Sequence, residues 1–296
     1  MIQPFNRRAQ VIIGPFAESE GAADPTLGVV IEGDGTPDKA RIGFSVKKHI
    51  MSTASPTIVR LYNLSYEHRK AILDPGLRIE IKAGWSNTEM WSIFTGSILA
   101  SFTQREGADL VTEIYSLASY TKLTKAVVRQ TFLAQTPIRD IVRTIASGIP
   151  GVNVSDANID IPYALVAGSA GLTIVDPTSE ALFKLARQYG FSCWIEDGIF
   201  HTLMDKQRKT GPTPVISTEN GYLMRAEAML VPPDQLIAGV SITSLFHPQL
   251  HTGGGVELIS TSNPKLNGVY TVHAIDHSGD THSQTWTSHV ESHWTI

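Results

Sequence analysis

The residues best equipped for chemistry crowd the C-terminal stretch, where His273 and His277, and again His289 and His293, stand four apart. On a helix that spacing puts two imidazoles on one face, an arrangement that holds zinc. The surrounding residues read instead as strands broken by turns at Gly253-Gly-Gly255 and Ser278-Gly-Asp280. In a strand, positions i and i+4 share a face but lie about 13 Å apart, too far to share one ion. A metal site would need cross-strand pairing of His273 or His277 with His289 or His293. The spacing favours a plainer reading, partly exposed strand histidines at a subunit contact, so no metal is expected and these four are the only candidates.

Other reactive groups fare no better. Neither Gly-x-Ser-x-Gly nor His-Glu-x-x-His occurs, and Gly168-Ser-Ala-Gly171 lies in a loop without the strand-to-helix elbow a nucleophilic serine needs. Cys193 alternates with Phe191 and Ile195, which makes it a buried structural thiol. Glu80, Glu106, Asp109, Glu113, Glu196 and Asp197 could supply the two carboxylates of a glycoside hydrolase. Each sits on a strand face or turn, where a solvated carboxylate is expected. Gly33-Asp-Gly35 and Gly253-Gly-Gly255 lack the following helix and the Lys-Ser/Thr of a phosphate loop. No catalytic residue, cofactor site or cofactor is assigned, and the chain reads as a non-enzyme.

Composition narrows the classes further. The 296 residues allow about two domains with their own cores. A formal net charge of -4 and the lack of any basic run longer than two residues argue against a nucleic-acid groove. The single cysteine cannot close an intrachain disulfide. Met1-Ile-Gln-Pro-Phe-Asn-Arg-Arg has no apolar run behind its charges, and no 18-residue apolar stretch follows, so synthesis and folding in the cytoplasm without membrane insertion are expected.

Strand patterns dominate residues 10–121. Val11-Ile-Ile, Leu27 to Ile31, Ile42 to Val46, Ile58 to Tyr62, Ile79 to Ala83, Met90 to Gln104 and Leu110 to Leu117 make six or seven strands. Ser65 can cap a short helix, Tyr66 to Leu73, ended by Asp74-Pro75-Gly76. Near residue 130 the period changes: Ile138, Ile141, Val142, Ile145 and Ala146 mark one amphipathic helix, and Ala181, Leu182, Leu185, Ala186 and Tyr189 a second. A hairpin follows, Phe191 to Glu196 and Ile199 to Met204, across the type I′ signal Asp197-Gly198. After Thr210-Gly-Pro-Thr-Pro, five strands return: Tyr222 to Leu230, Leu236 to Thr243, Val256 to Ser260, Gly268 to Asp276 and Gln284 to Trp294. Pro232-Pro233 divides the first two, and no fixed-period repeat is visible. The fold class is therefore mainly β with a small α/β insert: a first antiparallel β-barrel with a short helix over 1–125, an α/β module over 126–210, and a second, smaller barrel over 211–296. Trp85, Trp91, Trp194, Trp286 and Trp294 all fall in or beside strands, and core is the default for each.

Several segments resemble the baseplate hub proteins of bacteriophage tails. They are Val59-Arg-Leu-Tyr-Asn-Leu-Ser, Arg69-Lys-Ala-Ile, Gly76-Leu-Arg-Ile-Glu-Ile-Lys-Ala-Gly-Trp85 and Ile93-Phe-Thr-Gly-Ser-Ile98, then Ser179 to Phe191, Gly239 to Leu250, Gly268-Val-Tyr-Thr-Val, His277 to Asp280 and Trp286. The resemblance covers nearly the whole chain through the order and spacing of these pieces. It implies two tube-like barrels per chain and a homotrimer that adapts a hexameric tail tube to a trimeric spike or tip. It also implies a place in the virion tail baseplate, contacts with tail tube or distal tail protein, spike or tip protein, tape measure protein and other baseplate proteins, and DNA only in transit through the channel. No appended lysozyme or spike domain is visible, which leaves cell-wall cleavage to a partner. The competing expectations are a cell-wall-degrading tail enzyme and a carbohydrate- or receptor-binding tail module.

Overall fold

Alternation of apolar and polar residues builds strands wherever one face can be buried. The computed structural model describes residues 7–15, 28–50, 56–72, 77–86, 88–118, 127–231 and 236–294. Leu27, Asp74-Pro75-Gly76 and Pro232-Pro233 lie outside them. The first seven strands are β1 (Arg7–Gly14), β2 (Val29–Gly33), β3 (Ile42–His49), β4 (Pro56–Tyr62), β5 (Arg78–Trp85), β6 (Trp91–Glu106) and β7 (Asp109–Leu117). In β3, Ile42, Phe44, Val46 and Lys48 are buried while Lys47 and His49 face out. Between β4 and β5 runs α1 (Tyr66–Ala71), and Ser65 caps it as expected, its hydroxyl accepting from the His68 amide at 3.2 Å.

The middle module holds β8 (Val127–Phe132), α2 (Ile138–Ser147), β9 (Leu172–Pro177), α3 (Thr178–Tyr189), β10 (Phe191–Glu196) and β11 (Ile199–Met204). Both helices bury the predicted stripes, with Ile138, Ile141, Val142, Ile145 and Ala146 on α2 and Ala181, Leu182, Leu185 and Ala186 on α3. The β8–β9 ribbon is a strand pair the alternation does not announce, because only Phe132 of β8 is buried. At the β10–β11 turn Asp197 and Gly198 take φ of 51° and 81°, the left-handed pair of a type I′ turn.

Six strands follow rather than five: β12 (Val215–Ser217), β13 (Leu223–Val231), β14 (Leu236–Leu245), β15 (Gly255–Ile259), β16 (Gly268–Asp280) and β17 (Trp286–Trp294). The addition, β12, is three residues long and pairs with β15 in parallel, the one parallel ladder among the described strands. The strands outside the middle module form one sheet in the order β13-β14-β17-β16-β3-β4-β7-β6-β5-β1-β2, with β15 on β16 and β12 on β15. β16 makes this continuity. Its residues 268–271 pair with β15, whereas 274–280 pair with β3.

The two halves of this sheet repeat one plan. The first reads β1-β5-β6-β7-β4-β3, and the second β12-β15-β16-β17-β14-β13. Both contain one long strand that changes partner midway, and both bulge at the change, between Ile98 and Ala100 in β6 and between Val272 and Ala274 in β16. Aligning the bulges sets Ala100 on Ala274, Thr103 on His277 and Glu106 on Asp280. Through the neighbouring ladders it sets Ser116 on Ser292, Ile58 on Ser241 and Ser45 on Glu227. Each half wraps its own apolar core, one gathered from β1–β7 and the other from Ile216, Val240, Val256, Tyr270, Val290 and their neighbours. Phe246 and Trp286, from the second half, fill the first core.

Candidate functional site

A strand whose buried face carries a lysine needs a partner for that charge. Lys48, the last inward residue of β3, is 6% exposed and finds one in the β10–β11 turn. Its Nζ donates to Glu196 Oε1 at 2.8 Å and to Asp197 Oδ2 at 2.9 Å. Glu196 Oε2 also accepts from Trp194 Nε1 at 3.3 Å and from the Thr252 hydroxyl. Asp197 Oδ1 accepts from the Thr95 amide of β6 at 2.9 Å. The turn of the middle module is thus pinned to both sheet halves: to β3 and β6 of the first, and to the β14–β15 connection of the second.

Histidines surround this joint. His201 stacks on Trp194 with ring centroids 5.4 Å apart and accepts through Nδ1 from Lys209, whose ammonium lies 4.9 Å over the same indole. His277 is 1% exposed, shares a hydrogen bond with Ser288 Oγ at 2.8 Å through Nδ1 and meets the Phe246 ring edge-on. Burial pushes His201 down to about 4 and His277 to about 3, so both are neutral at pH 7. Burial also lowers Lys209, to about 8. For the central pair, burial alone would neutralise both partners, but their mutual attraction outweighs it, raising Lys48 above the usual lysine range and holding Glu196 below the usual carboxylate range. General acid–base work needs a group that titrates near the working pH. The central pair stays charged across the neutral range, and its geometry suits a fastening.

The expected site residues scatter. His273 and His293 do meet across β16 and β17, ring centroids 4.0 Å apart, but His277 points to the opposite, buried face, and His289 bonds Thr243 through Nδ1 at 3.2 Å. Among the described residues no group of three or more His, Cys, Asp or Glu could hold a metal ion. The expectation of partly exposed histidines fails at His277 because the bulge beside His273 shifts the following residues by one, turning 275, 277 and 279 inward. The expectation of solvated carboxylates fails at Glu196 and Glu80, 9% and 8% exposed: Glu196 lies in the joint, and Glu80, on the face of β5 opposite the core residues Ile79 and Ile81, pairs with Lys82 at 3.6 Å. Glu106 and Glu113 bind Arg60, and Asp109 accepts from Asn63. Cys193 is buried with Phe191 and Ile195, and burial pushes its thiol up to about 12. Trp91, 40% exposed, departs from the core default, whereas Trp85, Trp194 and Trp286 keep it. The sequence singled out neither Lys48, Thr252, His201 nor Lys209. The one available signal was a lysine at an inward position of an alternating strand.

A cleft of about 800 Å³ opens beside β2 and α1 at Glu32, Arg41, Tyr62 and His68 and shares no lining residue with the joint. Among the described residues no helix is long and apolar enough to cross a membrane.

Comparison with known proteins places this architecture. The chain is similar in fold to the 43 kDa tail protein of prophage MuSo2 from Shewanella oneidensis, at 11% identity, a TM-score of 0.63 and 96% coverage of both chains. It is similar also to a tail protein from Neisseria meningitidis MC58, at 10% identity and a TM-score of 0.65 over 97% of this chain and 96% of that one. A third likeness is the E. coli c3393 protein, a type VI secretion component described as structurally similar to the T4 tail proteins gp27 and gp5, at 9% identity and a TM-score of 0.57 over 87% and 74% of the two chains. At such identities the likeness is one of fold, and no curated protein matches the chain. The family model for baseplate hub gp41, by contrast, matches the sequence itself over residues 27–292. That span runs from just before β2 into β17 and takes in the first sheet half apart from β1, the second half and the joint between them, so this chain belongs to the baseplate hub gp41 family.

Proposed function

We propose that this baseplate hub is a homotrimeric symmetry adapter, joining a hexameric tail tube to a trimeric spike or tip and forming part of the channel through which DNA leaves. The observation that carries the reading is the duplicated sheet: one chain holds two halves of the same strand order. Two halves in each of three copies give six similar units on one side, while the chains themselves keep threefold symmetry for the other. In this reading the halves act as two tube-like barrels within the units 1–125 and 211–296, and the module 126–210 is fastened between them at Lys48. The tube or distal tail protein, the spike or tip, the tape measure and other baseplate proteins are its partners, and it is made in the host cytoplasm before joining the virion tail. A net charge of -4 fits a wall that DNA passes without being gripped. The role is mechanical, with no catalysis and no bound cofactor.

Mass photometry and negative-stain electron microscopy of the purified chain test this. Trimers forming a ring with sixfold-like outline are expected, and monomers alone at high concentration would overturn it.

A further inference from the structure

A lysine that leaves water keeps its charge only where an anion replaces the solvent. Three of the described lysines are buried or half-buried: Lys48, Lys82 and Lys209. Lys48 holds Glu196 and Asp197, and Lys82 lies 3.6 Å from Glu80. Among the described residues, no carboxylate comes within ion-pair distance of Lys209. Its ammonium rests instead on two neutral rings, 4.9 Å over the Trp194 indole and donating to His201 Nδ1. The placement is fixed from both sides: Trp194 and His201 are direct partners across β10 and β11, and the Lys209 amide donates to the Gly253 carbonyl at 2.8 Å. The other titratable groups that act on it are Glu196 of β10, Asp160 of the loop before β9 and His251 of the β14–β15 connection. Glu196 is already taken by Lys48, Trp194 and Thr252, and Asp160 is exposed.

We propose that Lys209 is a modification site: its Nζ, held between the Trp194 indole and the His201 ring without a carboxylate, is the amine of this chain that small acyl phosphates acylate first. Only the free amine attacks, because the ammonium has no lone pair to give. Nζ forms a bond to the acyl carbon, the C–O bond to phosphate breaks, phosphate leaves with that bonding pair, and the surplus proton on nitrogen passes to water. The missing anion favours the step. Burial lowers Lys209 to about 8, so about half of it is free amine at pH 8, against less than about 1% of an exposed lysine. The product suits the place as well: an amide is neutral, needs no counter-ion, and keeps one N–H to donate to His201. Lys209 lies where the chain passes from β11 of the middle module to the second half, so acylation removes a cation from that passage. The reaction needs one chain only and is independent of assembly.

Brief treatment of the folded full chain with acetyl phosphate, followed by unfolding and exhaustive acetylation with deuterated acetic anhydride, gives the light-to-heavy ratio at every lysine by mass spectrometry. Lys206, exposed and three residues away, is the internal standard. At pH 8 Lys209 should react about tenfold faster than Lys206, its lower basicity and half-burial offsetting part of the gain in free amine. Its rate should level off above about pH 9, while that of Lys206 keeps rising. Equal rates, or a Lys209 profile with its midpoint near that of Lys206, would overturn the assignment. In urea the preference should vanish, and a preference that survives unfolding would mean that local sequence, not the two rings, creates it. His201→Glu supplies the missing carboxylate and should bring Lys209 down to the rate of Lys206 or below; undiminished acetylation in the folded variant would also sink the idea. Should that variant fail to fold, the wild-type pH profile decides alone.

Discussion

The first and second halves of the sheet follow one strand order, yet only one of their long strands is enclosed. His277 and Thr103 occupy equivalent places after the bulge, and each bonds a hydroxyl on the next strand, Ser288 Oγ at 2.8 Å and Thr112 Oγ1 at 3.0 Å. His277 is buried because β3 and Phe246 cover it, whereas Thr103 is exposed. The strands that end the two halves differ in the same sense. Lys48 of β3 is buried against Glu196 and Asp197, while its equivalent in β13, Leu230, is 53% exposed. The comparison teaches that burial here follows from which edge has a neighbour more than from residue type: the enclosed junction holds a lysine and a histidine, and the open edges hold a phenylalanine and a leucine.

The strongest way to break the comparison is to remove the cation at the enclosed junction. Lys48→Met leaves Glu196 and Asp197 facing each other without their partner, and stranding a buried charge costs about 3–5 kcal/mol. Urea unfolding of the monomer reads this directly. Leu230→Met, at the equivalent exposed site, should stay within about 0.5 kcal/mol. If Lys48→Met costs under 1 kcal/mol, the joint does not hold the middle module in place.

A second contrast lies at Gly279 and its equivalent, Arg105. A Cβ on Gly279 would come 2.3 Å from Phe44 Cζ and 2.7 Å from Trp286, so these rings leave room for hydrogen only. Gly279→Ala should cost about 1–3 kcal/mol through overpacking. Arg105→Ala, on the open strand, should cost less than about 0.5 kcal/mol. Thermal unfolding of both variants separates an enclosed long strand from an open one, and equal effects would contradict the burial difference.

Much of this was legible in the sequence. Alternation gives the inward residues of β3, β4 and β7, the 3.6-residue period gives the buried stripes of α2 and α3, and Asp197-Gly198 gives the hairpin that carries the joint. The strands it misses are β8 and β9, which bury one residue each and so print no pattern, and β12, whose three residues are too few to show alternation. Lys48 and Glu196 are 148 residues apart, and no local spacing connects them. The duplication is hidden for a related reason. Equivalent positions are constrained by strand geometry and not by residue identity, so Ala100 and Ala274, or Ser116 and Ser292, match while Phe102 faces Asp276 and Thr103 faces His277 in the alignment. The histidines drew attention by type, but their separation by faces depends on a bulge that no residue pattern marks.

The finest contrast between the halves is that only one of the two hydroxyl-bonded positions titrates. His277 has a folded pKa of about 3 against an ordinary 6.5, because burial disfavours the imidazolium, with Lys48 adding to the effect. A lowered folded pKa means that the unfolded chain takes up this proton first. The stabilising contribution of neutral His277 is therefore complete above about pH 6.5 and is lost progressively as pH falls towards 3. At pH 5.5, one unit below the unfolded pKa, the loss is about 1.4 kcal/mol. His277→Thr copies the pairing that the first half makes at Thr103 and removes the titration. The variant's absolute stability will shift from repacking against Phe246, so the informative quantity is the slope: between pH 7 and 5.5 the wild-type chain should lose about 1.2 kcal/mol more than the variant, since a small part of the loss is already present at pH 7. His201, also lowered by burial, titrates in both proteins and cancels in that difference. Parallel pH profiles would mean that His277 reaches water in the folded chain, and that the enclosed half is as open there as its counterpart at Thr103.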